Sequence, residues 1–215
     1  MQGATRTKVL VAALAFGLSG CAFQANLNST YFEYQPRAYD KKVVGVAAVE
    51  MSKTEQENVF TGNPTSFTGG GTTLTLPMGT ITREAATLAF KDVFSQGVKV
   101  SDSVQSPSEF SAVIHPRVTQ YTYEYNQLKN AGFAITPTVN IGLSVSLRDS
   151  RGNAIWERNF STGNFEGKTY VMSGSPGEEI SKTTHQAMMK VMQEAADAIQ
   201  RDLIVSPPPQ GDKAL

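Results

Sequence analysis

The sequence predicts an α+β fold: a two-layer sandwich in which a mostly antiparallel sheet of four to five strands carries two amphipathic helices on one face. Residues 135–147 alternate between apolar and polar, which is typical of an antiparallel strand with one buried face. Residues 80–97 and 178–203 carry apolar residues three and four apart, which is the spacing of amphipathic helices. Packing these apolar faces together gives two layers.

The composition is that of a globular chain without a strongly charged face. The 215 residues include 19 basic and 19 acidic side chains, so the formal net charge is zero. This balance gives no indication of nucleic-acid binding, which uses a basic surface. Hydrophobic residues make up 40% of the chain, enough for a substantial core. A single cysteine excludes an internal disulfide, so packing must provide the stability.

The first 20 residues have the pattern of a signal peptide. Arg6 and Lys8 precede an apolar stretch, Val9 to Leu18, that is too short for the ~20-residue helix that spans a bilayer. Leu18-Ser19-Gly20-Cys21 then resembles the bacterial lipobox, whose cysteine is diacylated before the chain is cut in front of it. The alternative is an ordinary secretory peptide followed by a chance free cysteine.

Lipidation of Cys21 implies a permanent anchor, because two or more acyl chains hold a protein stably on a membrane. Ala22 follows, where an aspartate typically retains such proteins at the inner membrane. By this resemblance, we expect a lipid-anchored protein of the outer membrane that faces the periplasm, with outer-membrane lipid as its first partner.

Four segments follow from this assignment. Residues 1–20 are the lipoprotein signal peptide, and residues 21–42 are the lipidated N-terminus and a tether rich in aromatic side chains. Residues 43–204 form the periplasmic α+β domain, and residues 205–215 form a disordered, proline-rich tail. The tether is interpreted as a loosely packed linker; alternatively, its aromatic residues lie on lipid or on a partner.

The first half of the domain combines short strands with one helix. Residues 43–49 are β-branched or small and predict a buried strand, and residues 51–79 predict a Gly/Thr-rich excursion that is an extended loop or a hairpin. Thr80 is a suitable N-cap for the first long helix, which Gly97 ends. Residues 98–100 form the next strand.

Longer elements follow in the second half. Residues 110–125 predict a long strand in which Pro116 marks an edge or a bulge, because proline cannot donate to a sheet. Residues 149–153 form the turn of a hairpin, and residues 154–165 form its return strand. Ser175, Pro176 and Glu178 match a capping box at the start of the last helix.

The sequence predicts no catalytic residue, no metal site and no cofactor, so the chain is not expected to be an enzyme. His115 and His185 are the only histidines; neither has the partners that metal binding or general-base catalysis requires, and structural or solvent-exposed roles are expected. Tyr121, Tyr123 and Tyr125 share one face of a strand. They form a possible partner surface; equally, they are good strand residues that cover the sheet.

The order of elements resembles that of YajG-like outer-membrane lipoproteins and, more distantly, LptE-type lipoproteins of lipopolysaccharide assembly. The resemblance is carried by the lipobox Leu18 to Cys21, the strand Thr138 to Asp149 with its hairpin, the strand Ala154 to Phe165, and the helix from Glu178. It covers most of residues 43–203, is architectural, and assigns no functional residue.

These observations predict a non-catalytic, membrane-anchored lipoprotein that acts as an accessory or assembly subunit of a cell-envelope complex. Its partner would be an envelope protein or a further copy of the chain. One alternative is a ring-forming component of an envelope export or secretion machine. Another is a periplasmic carrier of lipid or a small ligand, with Met188, Met189 and Met192 lining a cavity unless they simply fill the core.

Overall fold

The computed structural model describes residues 22–66, 70–126, 134–171 and 175–205. The predicted signal peptide, Cys21 and all but the first residue of the proline-rich tail lie outside these residues. Within them, the chain forms ten strands and three α-helices.

The larger sheet is built around the two longest strands, β6 (Ala112–Asn126) and β7 (Ala134–Arg148), which pair in antiparallel fashion along their length. On the far side of β6 lies β2 (Ala47–Glu50), followed by the edge strand β5 (Val98–Ser101). Both contacts of β2 are parallel. Pro116 lies beyond the residues of β6 that β2 pairs with, so its missing N–H is tolerated at a local edge, as predicted.

Three short strands share the other edge of β7. In chain order they are β8 (Ala154–Ser161), β9 (Phe165–Glu166) and β10 (Tyr170–Val171). They pair with successive stretches of β7, from its C-terminal end to its N-terminal end. The predicted single return strand over residues 154–165 is therefore interrupted, and Gly163, at a φ of 57°, lies at the break.

A second sheet of three strands covers part of the first. It consists of β1 (Ala22–Gln24), β4 (Thr73–Leu76) and β3 (Phe60–Gly62), in that spatial order. β3 and β4 form an antiparallel hairpin within the predicted excursion, whereas β1 joins β4 in parallel.

The helices are α1 (Lys53–Gln56), α2 (Met78–Phe90) and α3 (Pro176–Gln200), and a turn of π-helix, Arg201–Val205, follows α3. The two long helices pack against each other, and α3 also packs on β7. Met188, Met189 and Met192 belong to the central hydrophobic cluster.

The predicted sheet is wrong. The described residues form two mixed sheets of seven and three strands, not one mostly antiparallel sheet of four to five, and they contain three helices instead of two. The additional strands are short, and they pair with segments that are distant in sequence. The predicted wet face of β7 is also less exposed than expected: Thr136, Thr138 and Ser144 are 3%, 5% and 5% exposed.

Candidate functional site

Of the three tyrosines proposed as a partner surface, Tyr123 and Tyr125 are buried and Tyr121 is half-buried. Tyr123 and Tyr125 are 1% and 3% exposed, and the hydroxyl oxygen of Tyr121 lies 2.8 Å from that of Thr184 on α3. The Tyr123 hydroxyl donates to the carbonyl oxygen of Gly62 on β3 at 3.0 Å. Burial raises the pKa of Tyr123 to about 12, so it stays neutral at physiological pH. The structure therefore places this face under the small sheet and α3.

Both histidines make contacts between distant segments. The Nε2 atom of His115 lies 2.8 Å from a carboxylate oxygen of Glu55, joining β6 to α1. His185 on α3 is fully buried; its Nδ1 donates to the carbonyl oxygen of Ser181 at 2.7 Å. Its Nε2 is then left to accept from the backbone N–H of Asn28, at 3.4 Å. Burial lowers the pKa of His185, which favours this neutral form.

The described part of the predicted tether packs on the domain and is not a loose linker. Phe32 is 1% exposed, and its ring lies 4.9 Å from that of His185. The Tyr39 hydroxyl donates to Asp197 at 2.6 Å, and the side chain of Gln193 donates to the carbonyl oxygen of Gln35 at 3.1 Å. The segment thus follows α3 from near its start to near its end.

A second set of contacts joins this segment to α2's C-terminal end. The carboxylate of Asp92 accepts hydrogen bonds from the Tyr34 hydroxyl at 2.5 Å and from the backbone N–H of Arg37 at 2.8 Å. Burial, together with the bond to Asp92, raises the pKa of Tyr34. Asp92 is only 9% exposed, so these bonds compensate for its loss of water.

A recess of about 460 Å³ lies between the start of this segment and the start of α3. Its lining includes Ala22, Asn28, Glu178 and Ser181. The Ser181 hydroxyl is buried and has no hydrogen-bond partner within the described part of the chain. Tyr31 donates to Glu178 at 2.8 Å across the recess, and this bond uses the glutamate that the predicted capping box required. Ser175 forms no side-chain cap.

Sequence reasoning missed the role of this segment. The aromatic residues of 22–42 were noted, but Phe32, Tyr34 and Tyr39 carry no periodic pattern that would indicate packing. Their partners lie on α2's C-terminal end and α3, far away in the chain. Cys21, the predicted lipidation site, lies outside the described residues and directly precedes β1.

The described residues contain no group of three or more His, Cys, Asp or Glu side chains placed to hold a metal ion. None of their helices is long and apolar enough to span a bilayer.

No protein-family profile matches this chain, and neither does any curated protein. Similar chains among solved structures include a candidate lipoprotein from Caulobacter crescentus, which is 15% identical; the match covers 74% of this chain and 86% of that one, at a TM-score of 0.34. A minor lipoprotein from Acinetobacter baumannii is 13% identical over 75% and 90% of the two chains, at a TM-score of 0.30.

A candidate neuraminyllactose-binding hemagglutinin homolog from Helicobacter pylori is 10% identical, with coverage of 78% and 90% and a TM-score of 0.40. Likenesses at these identities and TM-scores do not establish a family or a shared function.

Proposed function

We propose that the protein is a non-catalytic lipoprotein, anchored in the outer membrane by acylated Cys21 and facing the periplasm. The observation that carries this proposal is the run Leu18-Ser19-Gly20-Cys21 directly after a short apolar stretch. The narrower relationship to YajG-like and LptE-type lipoproteins stays a prediction.

Metabolic labelling with palmitate tests the anchor. The wild-type chain should incorporate label and sediment with the outer membrane in a sucrose gradient. A Cys21→Ser variant should remain unlabelled and keep its first 20 residues. Equal labelling of the two proteins, or a wild-type chain that is cut elsewhere and released in soluble form, would contradict the assignment.

The accessory role is supported by an open strand edge. β5 pairs with β2 on one side and, within the described residues, with no strand on the other. Val100 on this strand is 40% exposed, and Lys99 beside it is exposed. An unpaired edge can accept a strand from another protein through main-chain hydrogen bonds. We therefore place the binding of an envelope protein at β5.

Photo-crosslinking in cells tests this role. A photoreactive residue at Val100 should give one discrete crosslinked envelope protein. The same residue at Lys190, an exposed position on α3, is the matched control and should give none. Crosslinks to an identical copy of the chain would favour the ring-forming alternative, and equal background at both positions would contradict the accessory role.

A further inference from the structure

We propose that the end of the domain carrying Ala22 lies directly on the lipid headgroups, with no flexible spacer between anchor and fold. This inference rests on the proposed function, because it takes Cys21 as the acylated residue. It differs from the usual expectation for a lipoprotein tether, in which a linker holds the domain away from the bilayer.

The chain between the proposed anchor and the first strand is very short. Ala22 is the first residue of β1 and pairs with Thr73 of β4, and Cys21 precedes it by one peptide bond. Consecutive Cα atoms are about 3.8 Å apart. The headgroup region is about 5–8 Å thick on each side of the hydrocarbon core. Acyl chains in that core therefore hold Ala22 at the level of the headgroups.

The residues that follow Ala22 pack on the domain and leave no flexible length of chain. Phe23 packs so closely on α3 that a Cβ atom added to Gly177 would lie 2.7 Å from the Cβ of Phe23. The backbone N–H of Ala25 donates to Thr75 at 3.0 Å, which extends the contact with β4. Phe32 is then buried against His185. A spacer could form only if these contacts broke.

The end of the domain that carries Ala22 lies far from Val44 along β6. β6 spans 15 residues, about 50 Å at the rise of an antiparallel strand. Near its end, Tyr123 contacts Gly62, and Gly62 pairs with Leu74 beside the partner of Ala22. At its start, Ala112 pairs with Ala47 of β2, and Ala47 is three residues after Val44 in the chain. Val44 therefore lies at the opposite pole, about 35–40 Å along β6 from Tyr123.

The chemistry of this end indicates how the contact is maintained. Glu178, which lines the recess beside Ala22, is acidic, so attraction to anionic lipid does not explain the contact. The covalent anchor enforces it instead. The open edge of β5 begins at the same pole as Val44, because β5 and β6 both run parallel to β2. This pole is left free for a periplasmic partner.

The single cysteine makes a direct test feasible. Once Cys21 is acylated, an introduced cysteine is the only free thiol. Gly71→Cys places a fluorophore two residues from Thr73, where an added Cβ meets nothing within 4 Å. Val44→Cys, at a side chain that is 83% exposed, is the matched control at the far pole. The full lipidated chains are reconstituted into phosphatidylethanolamine–phosphatidylglycerol vesicles that contain nitroxide-headgroup lipid.

We expect the probe at 71 to be quenched several-fold more strongly than the probe at 44. Insertion of 16 Gly/Ser residues between Cys21 and Ala22, a flexible span of about 20–24 Å, should remove most of this difference. Equal quenching of the two probes on protein that floats with the vesicles would overturn the orientation and leave the anchor standing. A chain that carries no acyl group and does not float would overturn both.

Discussion

Lowering the pH should loosen the docked N-terminal segment through His185. In the folded protein, the neutral imidazole donates from Nδ1 to Ser181 and accepts at Nε2 from the backbone N–H of Asn28. A proton on Nε2 would remove this acceptor, so that the Nε2–H and the backbone N–H of Asn28 would be two donors facing each other. Burial lowers the pKa of His185 in the folded state, whereas the unfolded chain should titrate near the ordinary value of about 6.5.

Proton linkage gives the sign and the size of the change in the free energy of unfolding. Below about pH 6.5 the unfolded state binds a proton that the folded state resists, so the free energy of unfolding falls as the pH falls. The slope is at most about 1.4 kcal/mol per pH unit. Between pH 7.5 and pH 5.5, His185 should remove up to about 1.4 kcal/mol. For a domain of this size, that corresponds to a decrease in Tm of about 3–6 °C.

The assay compares urea unfolding of the chain from residue 22 at the two pH values with that of a His185→Gln variant. The variant is expected to be less stable at pH 7.5 but to lose less stability on acidification. The protection factor of the Asn28 amide against hydrogen exchange, taken relative to the intrinsic rate at each pH, should fall between pH 7.5 and pH 5.5 only in the wild type. Parallel stability curves for the two proteins would refute the assigned role of His185.

Three substitutions test the packing, each by urea unfolding. Phe32→Ala should cost about 3–5 kcal/mol because it empties a site that is 1% exposed; a cost below 1 kcal/mol would show that the segment does not dock. Gly79→Ala should lower the free energy of unfolding by about 1–3 kcal/mol or more, because the added Cβ would clash with the carbonyl oxygen of Glu55. Gly71→Ala should change the free energy of unfolding by no more than about 0.5 kcal/mol, because its added Cβ would meet nothing within 4 Å. Ser181→Ala should be neutral or stabilising by up to about 1 kcal/mol, because it removes a buried hydroxyl without a partner; a clear loss of stability would reveal a hidden bond.

The elements with a local signature could be predicted from the sequence. The alternation around Ile141 and Leu143 locates β7, and the turn that Asp149 opens is present, with its carboxylate accepting from the Arg151 and Asn153 amides. The long helix beginning near Ser175 is also present. Each of these signals lies within about a dozen neighbouring residues, so one sequence suffices to detect it.

The features that the sequence did not reveal depend on distant partners. Ser52-x-x-Glu55 and Ser175-x-x-Glu178 have the same capping pattern, but only the first forms a capping box. At the second, Ser175 forms no side-chain cap, and Glu178 accepts a hydrogen bond from Tyr31, 147 residues away in the chain. In the same way, the tyrosine face of β6 was located correctly, but its cover by β3 and α3 could not be inferred. Cys21 is the opposite case, because its predicted lipidation rests entirely on the sequence and not on any contact in the structure.

The docking of the N-terminal segment on α3 also constrains the order in which the fold can form. Tyr39 and Asp197 are 158 residues apart, and Asn28 and His185 are 157 residues apart, so neither contact can form before α3 is present. The segment around Phe32 therefore docks late, on a helix from the other end of the chain. Under the proposed assignment, enzymes that acylate Cys21 could act on the chain before this segment docks.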